Sequence, residues 1–292
     1  MKNKVIVLIG PTGSGKTAWA KILAQKFSGK IISADSRQIY RGLDIGTGKD
    51  KRYPQALIDI INPGKSYSVA QFKKDAEALI NQYLAMKALP MIVGGTGLYI
   101  DALIYGYIIP DLKKDSLVFR QKLEKLSDDK LLDKLKIYDS VTYKKIDPKN
   151  RRRLIRALEV SMLSKLPFSR LQKKQKSQYE YLILGIKTER DTLYAKIDAR
   201  IDQMIKDGLV EEVRILIKKY GRNITTFNTI GYKEIIDYLD KRQTLSEAVQ
   251  KIKFNTHAYV RRQDTWFRKD KNINWISDIH DAEKMIQKFV KE

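Results

Sequence analysis

The stretch VIVLIGPTGSGKT (residues 5–17) decides the fold of this 292-residue chain. Val5 to Ile9 is an unbroken apolar run of the length of a buried strand. Gly10-Pro11-Thr12-Gly13-Ser14-Gly15-Lys16-Thr17 then matches G-x-x-x-x-G-K-[ST]. Thr17–Phe27 follows with helical spacing and puts Trp19, Ile22 and Leu23 on one side. A strand, a glycine turn and a helix are the context in which this motif binds phosphate. Its glycines let the backbone curl so that N–H groups point at phosphate oxygens, and the helix adds its positive N-terminus. Lys16 supplies a mobile charge, and the Thr17 hydroxyl can coordinate Mg²⁺. The loop does not say which phosphate compound binds or what reaction follows.

Outward from the loop, strand and helix alternate. Lys30–Ala34 reads as a second strand ending at Asp35, and Leu57–Ile61 as a third. Ser68–Met86 is a helix capped by Ser68, and Pro90–Val93 is a strand ending in Gly94-Gly95. This alternation predicts an α/β fold, a P-loop NTPase-like parallel sheet flanked by helices. From Lys113 to Tyr179 the strand signals stop. Helical spacing of Leu123, Leu126, Leu131, Leu132, Leu135, Leu154, Leu158 and Met162 replaces them, in a stretch holding 20 Lys and Arg against 8 Asp and Glu. Tyr181–Lys187 returns as a strand. Helices then follow at 191–206, 210–219, 232–239 and 246–269, with a last strand at 273–276. The expected organisation is a core of residues 1–112 and 180–292 carrying an inserted all-helical module at 113–179.

Composition narrows the function. Hydrophobic residues make up 43 %, which supports a sizeable core. There is no cysteine, which removes disulfides, thiolate zinc sites and cysteine nucleophiles. His257 and His280, the only histidines, give little basis for a histidine-built metal site. The Val5–Ile9 run is too short for a signal peptide, and no apolar stretch of about 20 residues occurs, so a cytoplasmic protein with no membrane span is expected. Lys and Arg number 57 against 34 Asp and Glu, a net charge of +23. Solubility, or a genome favouring lysine codons, would explain part of that. A polyanionic partner, above all nucleic acid, explains it more fully. The inserted stretch holds over half of the excess.

A nucleotide hydrolase or kinase would place an acid for Mg²⁺ at the end of a second strand. Asp35 stands there, but no second carboxylate is evident to activate a nucleophile, and Gly94-Gly95-Thr96-Gly97 holds no acid. ATP binding therefore stays open at this point.

Five segments carry a resemblance: GPTGSGKT (10–17), SADSRQIYRGLDIGTGK (33–49), IVGGTGLYIDAL (92–103), RRRLIRALEV (151–160), and the pair IGYKE (230–234) with RRQDTWFR (261–268). In content and order they resemble the tRNA dimethylallyltransferases, across nearly the whole chain. The second and third are not shared by phosphate-loop proteins at large. Eukaryotic members carry a zinc-finger extension, and a chain ending at Glu292 without cysteine looks bacterial in type. THAYVRRQ (256–263) departs from the usual run at Thr256 and His257.

The resemblance implies that N6 of adenosine 37, in tRNAs reading codons that begin with U, attacks C1 of dimethylallyl diphosphate and releases pyrophosphate. Asp35 then matches the family's base. Lys16, the loop amides, Thr17 with Mg²⁺ as cofactor, and Arg200 would hold the leaving group. Thr12, Ser36, Gln38 and Thr96 match the positions that clamp the flipped-out base, with Arg37 between them. Arg120, the run Arg152-Arg153-Leu154-Ile155-Arg156 and the segment Asn228-Thr229-Ile230-Gly231-Tyr232-Lys233 match tRNA contacts made to the anticodon stem-loop. Blander roles stay open: a helix cap for Asp35, a solvated charge for Arg200, turn chemistry for Thr96. A monomer is the default, since the charged surface is committed to RNA. Prenylation of free AMP, an RNA-stimulated ATPase or kinase, and a non-catalytic RNA-binding protein are the competing functions.

Overall fold

A computed structural model describes residues 3–110, 115–164, 166–171 and 177–292. Two compact units make up the chain: Met1–Ile100 with Gln178–Glu292, and Asp101–Ser177. The boundary expected between residues 112 and 113 lies outside the described residues, and the second unit begins earlier, at Asp101.

The first unit starts with β1 (Lys4–Ile9), α1 (Lys16–Lys26), β2 (Gly29–Ala34), β3 (Gln55–Ala56), α2 (Val69–Ala85), β4 (Leu89–Gly94) and α3 (Gly97–Ile104). The chain division falls within α3. The second unit holds α4 (Asp115–Glu124), α5 (Asp128–Tyr138), α6 (Ser140–Tyr143), α7 (Arg151–Leu163) and α8 (Phe168–Leu171). Back in the first unit come β5 (Glu180–Ile186), α9 (Arg190–Lys206), α10 (Leu209–Tyr220), α11 (Tyr232–Leu239), α12 (Leu245–Phe267), β6 (Asn274–Ile276) and α13 (Ile279–Lys291).

The six strands form one sheet in the order β3-β2-β4-β1-β5-β6, and every pair is parallel. All six residues of β1 and of β4 are buried, as strands covered on both faces must be. Alternation sends Ile6 and Leu8 into a core closed by Ala20, Leu23 and Ala24 of α1 and Ala282, Ile286 and Phe289 of α13. Phe72, Ala76 and Ile80 of α2 stand outside that cluster and pack over β2 and β4. A third layer of α9 to α12 closes around Ile39, Leu43 and Tyr232. Because the strands are parallel, the loops after β1, β2 and β4 leave the same edge of the sheet. Ligands of open α/β sheets bind at that edge.

Three local expectations change. Leu57–Ile61 is not a strand: Leu57 and Asp59 take φ of 63° and 52°, and Asp59 turns its carboxylate to Lys49, 2.5 Å away. Ile22 is 49 % exposed, since α1 packs on the Ala20-Leu23-Ala24 stripe. Helices α3 and α13 are additions to the sequence reading. Among the described residues, no helix is long and apolar enough to cross a membrane.

The second unit is helical and has its own core of Leu123, Leu131, Leu135, Ile146, Leu154 and Leu158. Its buried Asp139 accepts from the backbone and hydroxyl of Thr142 (3.0 and 2.6 Å) and from those of Ser169 (2.7 and 2.9 Å). Burial works against that charge, yet the four donors hold the carboxyl pKa below its ordinary value.

Candidate functional site

The phosphate loop begins where β1 leaves the sheet. Gly13 and Gly15 take φ of 81° and 84°, a left-handed backbone that lets the loop curl ahead of α1. Gly15 is the N-cap of α1 and supplies no side-chain bond, and the first turn carries no acid, so the helix's leading N–H groups stay available to an anion. Lys16 donates from Nζ to the Pro11 carbonyl at 3.0 Å. Burial lowers its pKa to about 8, with Asp35 pulling it up and Arg200 pushing it down.

Two cavities open at this edge of the first unit. The larger, about 940 Å³, is lined by the phosphate loop together with Asp35, Gln38, Gly48 and Arg200. Its other acids are engaged: Asp44 by Lys49 and Lys51, Asp50 by Arg52 and Lys21, Asp207 by Gln203. The smaller, about 350 Å³, has an apolar wall of Ile197, Ile201, Met204, Leu209, Ile230 and Ile252. Asp35, Thr12, Thr47, Arg200 and Met204 line both.

Asp35 therefore stands at the seam. Its Oδ1 accepts from the backbone of Arg37 (2.8 Å) and of Gln38 (3.4 Å), capping the turn at 36–39, where no helix follows. No hydrogen bond within the described residues engages Oδ2. Arg200 donates to the Gly48 carbonyl at 3.4 Å, and burial holds its pKa below the ordinary value while Asp35 acts the other way. A side chain at Gly48 would start 1.5 Å from Arg200 Nη2, so only glycine leaves that guanidinium its place. The solvated-charge alternative for Arg200 is thereby replaced by a half-buried cation that lines both cavities with Asp35.

Not every expected contact gathers here. Ser36 and Arg37 line the smaller cavity and Gln38 the larger, where Gln38 Nε2 donates to the Thr47 carbonyl at 3.2 Å. Thr96 lies behind them, and its hydroxyl accepts from Ser36 N at 3.0 Å. Asn228, Thr229, Ile230 and Gly231 line the smaller cavity, and Lys233 is exposed. Tyr232 is a correction: its side chain is fully buried and its hydroxyl donates to Glu212 at 2.6 Å, so the side chain is turned away from any RNA.

In the second unit, Leu154 and Ile155 are corrections of the same kind, since both belong to its core. Arg156 pairs with Glu159 at 2.7 Å and Arg120 with Glu124 at 3.8 Å. Arg151 is spent on the carbonyls of Glu124 and Leu126. Arg152 and Arg153 are exposed, and no ion pair within the described residues engages them.

Four residues outside the expected site set carry weight here: Tyr259, Arg262 and Gln263, which end an interleaved aromatic and basic run, and Glu212. Tyr259 and Arg262 line the smaller cavity, with the Arg262 guanidinium 5.6 Å from the Tyr259 ring centre. Burial pushes the Tyr259 phenol up to about 12. Buried Gln263 and half-buried Glu212 hold loops of the site through backbone groups. Tyr259 and Arg262 had a visible signal, the interleaving of aromatic and basic residues in AYVRRQ.

The residues present suit a Mg²⁺ that takes most of its ligands from a diphosphate and water. Among the described residues no three His, Asp or Glu converge to cage a metal, while the half-buried Thr17 lines the phosphate cavity.

Comparison with known proteins follows the same lines. Residues 38–270 match the family described as IPP transferase, and residues 3–54 match one described as isopentenyl transferase. The tRNA dimethylallyltransferase of Anoxybacillus flavithermus is 43 % identical, over 97 % of this chain and 93 % of that protein. The crystal structure of the full-length tRNA isopentenylpyrophosphate transferase of Bacillus halodurans superposes with a TM-score of 0.73 at 37 % identity, covering 99 % of this chain and 96 % of the other. A eukaryotic dimethylallyltransferase acting on tRNA shares the fold, with a TM-score of 0.79 at 24 % identity over 95 % of this chain and 75 % of its own. A glycine loop, an acid at the seam of two cavities and a half-buried arginine thus stand in a chain that belongs to the IPP transferase family.

Proposed function

We propose that this protein transfers the dimethylallyl group of dimethylallyl diphosphate to N6 of adenosine 37 in tRNAs reading codons that begin with U, releasing pyrophosphate. The observation that carries the reading is the position of Asp35, on the seam between the phosphate-loop cavity and an apolar-walled one, beside Arg200.

In this reading the diphosphate lies against the loop amides, Lys16 and Arg200. The five-carbon chain lies along the apolar side, and the adenine enters past Ser36 and Tyr259. N6 attacks C1 as the bond from C1 to the diphosphate oxygen breaks. The electron pair leaves with the diphosphate, whose growing charge the cations stabilise, and the N6 proton passes to Asp35. Mg²⁺, held through the Thr17 hydroxyl, would neutralise part of the diphosphate charge. Arg152 and Arg153 supply sequence-independent attraction for the anticodon stem-loop. We infer a monomeric, cytoplasmic enzyme.

An ATPase or kinase has less to stand on. Of the other acids of the phosphate cavity, Asp44 and Asp50 are held in ion pairs with lysine or arginine, and Asp207 gives one oxygen to Gln203.

The test is mass spectrometry of nucleosides from unmodified tRNA incubated with the protein, Mg²⁺ and dimethylallyl diphosphate. An adenosine carrying one added C5H8 unit at position 37 is expected. Unmodified tRNA, beside an active known enzyme, rejects the proposal. Faster prenylation of free AMP than of tRNA would favour the nucleotide as acceptor.

A further inference from the structure

Polar residues on buried helix faces usually satisfy something nearby. Gln263 lies on the inward stripe of α12 with Val260 and Phe267, and only 6 % of it is exposed. Its amide has two partners on two different loops. Oε1 accepts from Thr12 N of the phosphate loop at 3.0 Å, and Nε2 donates to the Gly95 carbonyl after β4 at 2.9 Å. Only this orientation is possible, since a backbone N–H must donate and a carbonyl must accept.

The Gly95 loop continues directly into the acceptor side. Thr96 N donates to the Ala34 carbonyl at 3.2 Å, and the Thr96 hydroxyl accepts from Ser36 N at 3.0 Å, next to Asp35. The connection thus runs from Thr12 through Gln263 to Gly95, then through Thr96 to Ser36 and Asp35. The sheet already pairs Ile9 with Gly94, but Thr12 lies three residues beyond that register. The tip rests on Ile197 and Leu193 of α9, and Gln263 adds a side-chain hydrogen bond that fixes it to the Gly95 loop. Room for it depends on Gly95, where a Cβ would come 2.3 Å from Gln263 Nε2. Gln263 lines neither cavity.

We propose that Gln263 is a positioning residue that registers the diphosphate-holding loop against the adenosine-holding loop, so that C1 of the donor and N6 of the acceptor meet in line. The inference rests on the prenyl-transfer reading above. A registering residue acts on the step that needs both substrates at once, not on the binding of either. In Gln263→Leu, kcat falls roughly 10- to 100-fold. The dissociation constants of inorganic pyrophosphate, by calorimetry, and of tRNA, by fluorescence titration, stay within about threefold of wild type. Gly95→Ala, which displaces the amide without removing it, shows the same split.

Gln263→Glu supplies a signature that a merely structural role would not. Its ionised carboxylate can accept from Thr12 N but has no proton for the Gly95 carbonyl; protonated, it restores both bonds. The ratio of its kcat to that of wild type therefore rises as pH falls. A folded Gln263→Leu with kcat within about twofold of wild type overturns the inference. So does a loss of pyrophosphate affinity as large as the loss of kcat, or a pH-independent Gln263→Glu ratio. The last of these decides the matter if Gln263→Leu does not fold. Inactive wild type with tRNA and donor is a separate result, and it removes the prenyl-transfer reading itself.

Discussion

At the scale of single residues, the site turns on two ionisable groups that see each other across the seam. Asp35 keeps one carboxylate oxygen for its own turn and the other clear. Replacing it by alanine should lower kcat by roughly 10²- to 10⁴-fold. Affinity for tRNA should hardly change, and rapid-quench rates beside a binding titration would show both. Wild-type turnover in Asp35→Ala would remove it as the base. Lys16, with its pKa lowered to about 8, makes a pH prediction whose sign is fixed. Below that value the amine carries the charge that holds the diphosphate; above it the charge is lost. In the free enzyme the KM for donor should therefore rise as pH passes upward through about 8, and a KM that stays flat to pH 9.5 contradicts the assignment.

At the scale of elements, the phosphate edge is assembled by helices that never enter the sheet. Glu212 of α10 accepts from three consecutive backbone N–H groups, those of Asp44 (3.0 Å), Ile45 (2.7 Å) and Gly46 (3.2 Å), and from the Tyr232 hydroxyl. That loop in turn supplies the carbonyls that hold Gln38 and Arg200. Glu212→Ala leaves the three N–H groups and the Tyr232 hydroxyl without their acceptor. It should lower the melting temperature by an amount corresponding to about 1–3 kcal/mol and lower kcat with it. Tyr232→Phe removes a single bond, worth about 0.5–1.5 kcal/mol. Because Tyr232 is buried, tRNA affinity should stay at the wild-type level, and a clear weakening in a binding titration would return it to the RNA surface.

At the scale of the whole molecule, an excess of +23 is a statement about long-range attraction, which salt weakens. Arg152 and Arg153 are exposed and free of ion pairs within the described residues, whereas Arg120 and Arg156 already hold glutamates. Arg152→Ala or Arg153→Ala should each reduce the slope of log K against log salt by about 1. Arg156→Ala should do less to the slope and more to stability, because it strands buried Glu159. Titrations between about 50 and 200 mM salt separate these outcomes, and an unchanged slope for Arg152→Ala would mean that it touches no phosphate.

Much of this architecture is local and was legible in the chain. The strands of Val5–Ile9, Lys30–Ala34 and Pro90–Val93 are short apolar runs, and the helix after Ser68 is announced by its cap. The phosphate loop is legible because its glycines, lysine and threonine are adjacent in sequence. Asp35 is legible as the acid at a strand's end. The helix at 279–291 is equally local, with Asp278 as cap and Ala282, Ile286 and Phe289 at helical spacing. What a match of whole segments could not say is which of their residues face a substrate and which face the protein. Tyr232, Leu154 and Ile155 sit in segments that match RNA contacts, yet each is buried: the 3.6-residue turn of α7 puts Leu154, Ile155 and Leu158 on its inward face and leaves Arg152 and Arg153 outside. Gln263 and Glu212 lie 251 and 168 residues from Thr12 and Asp44, the backbone groups they hold. A bond of that span exists only once the sheet edge and its helices have closed together, so their role was decided by tertiary structure.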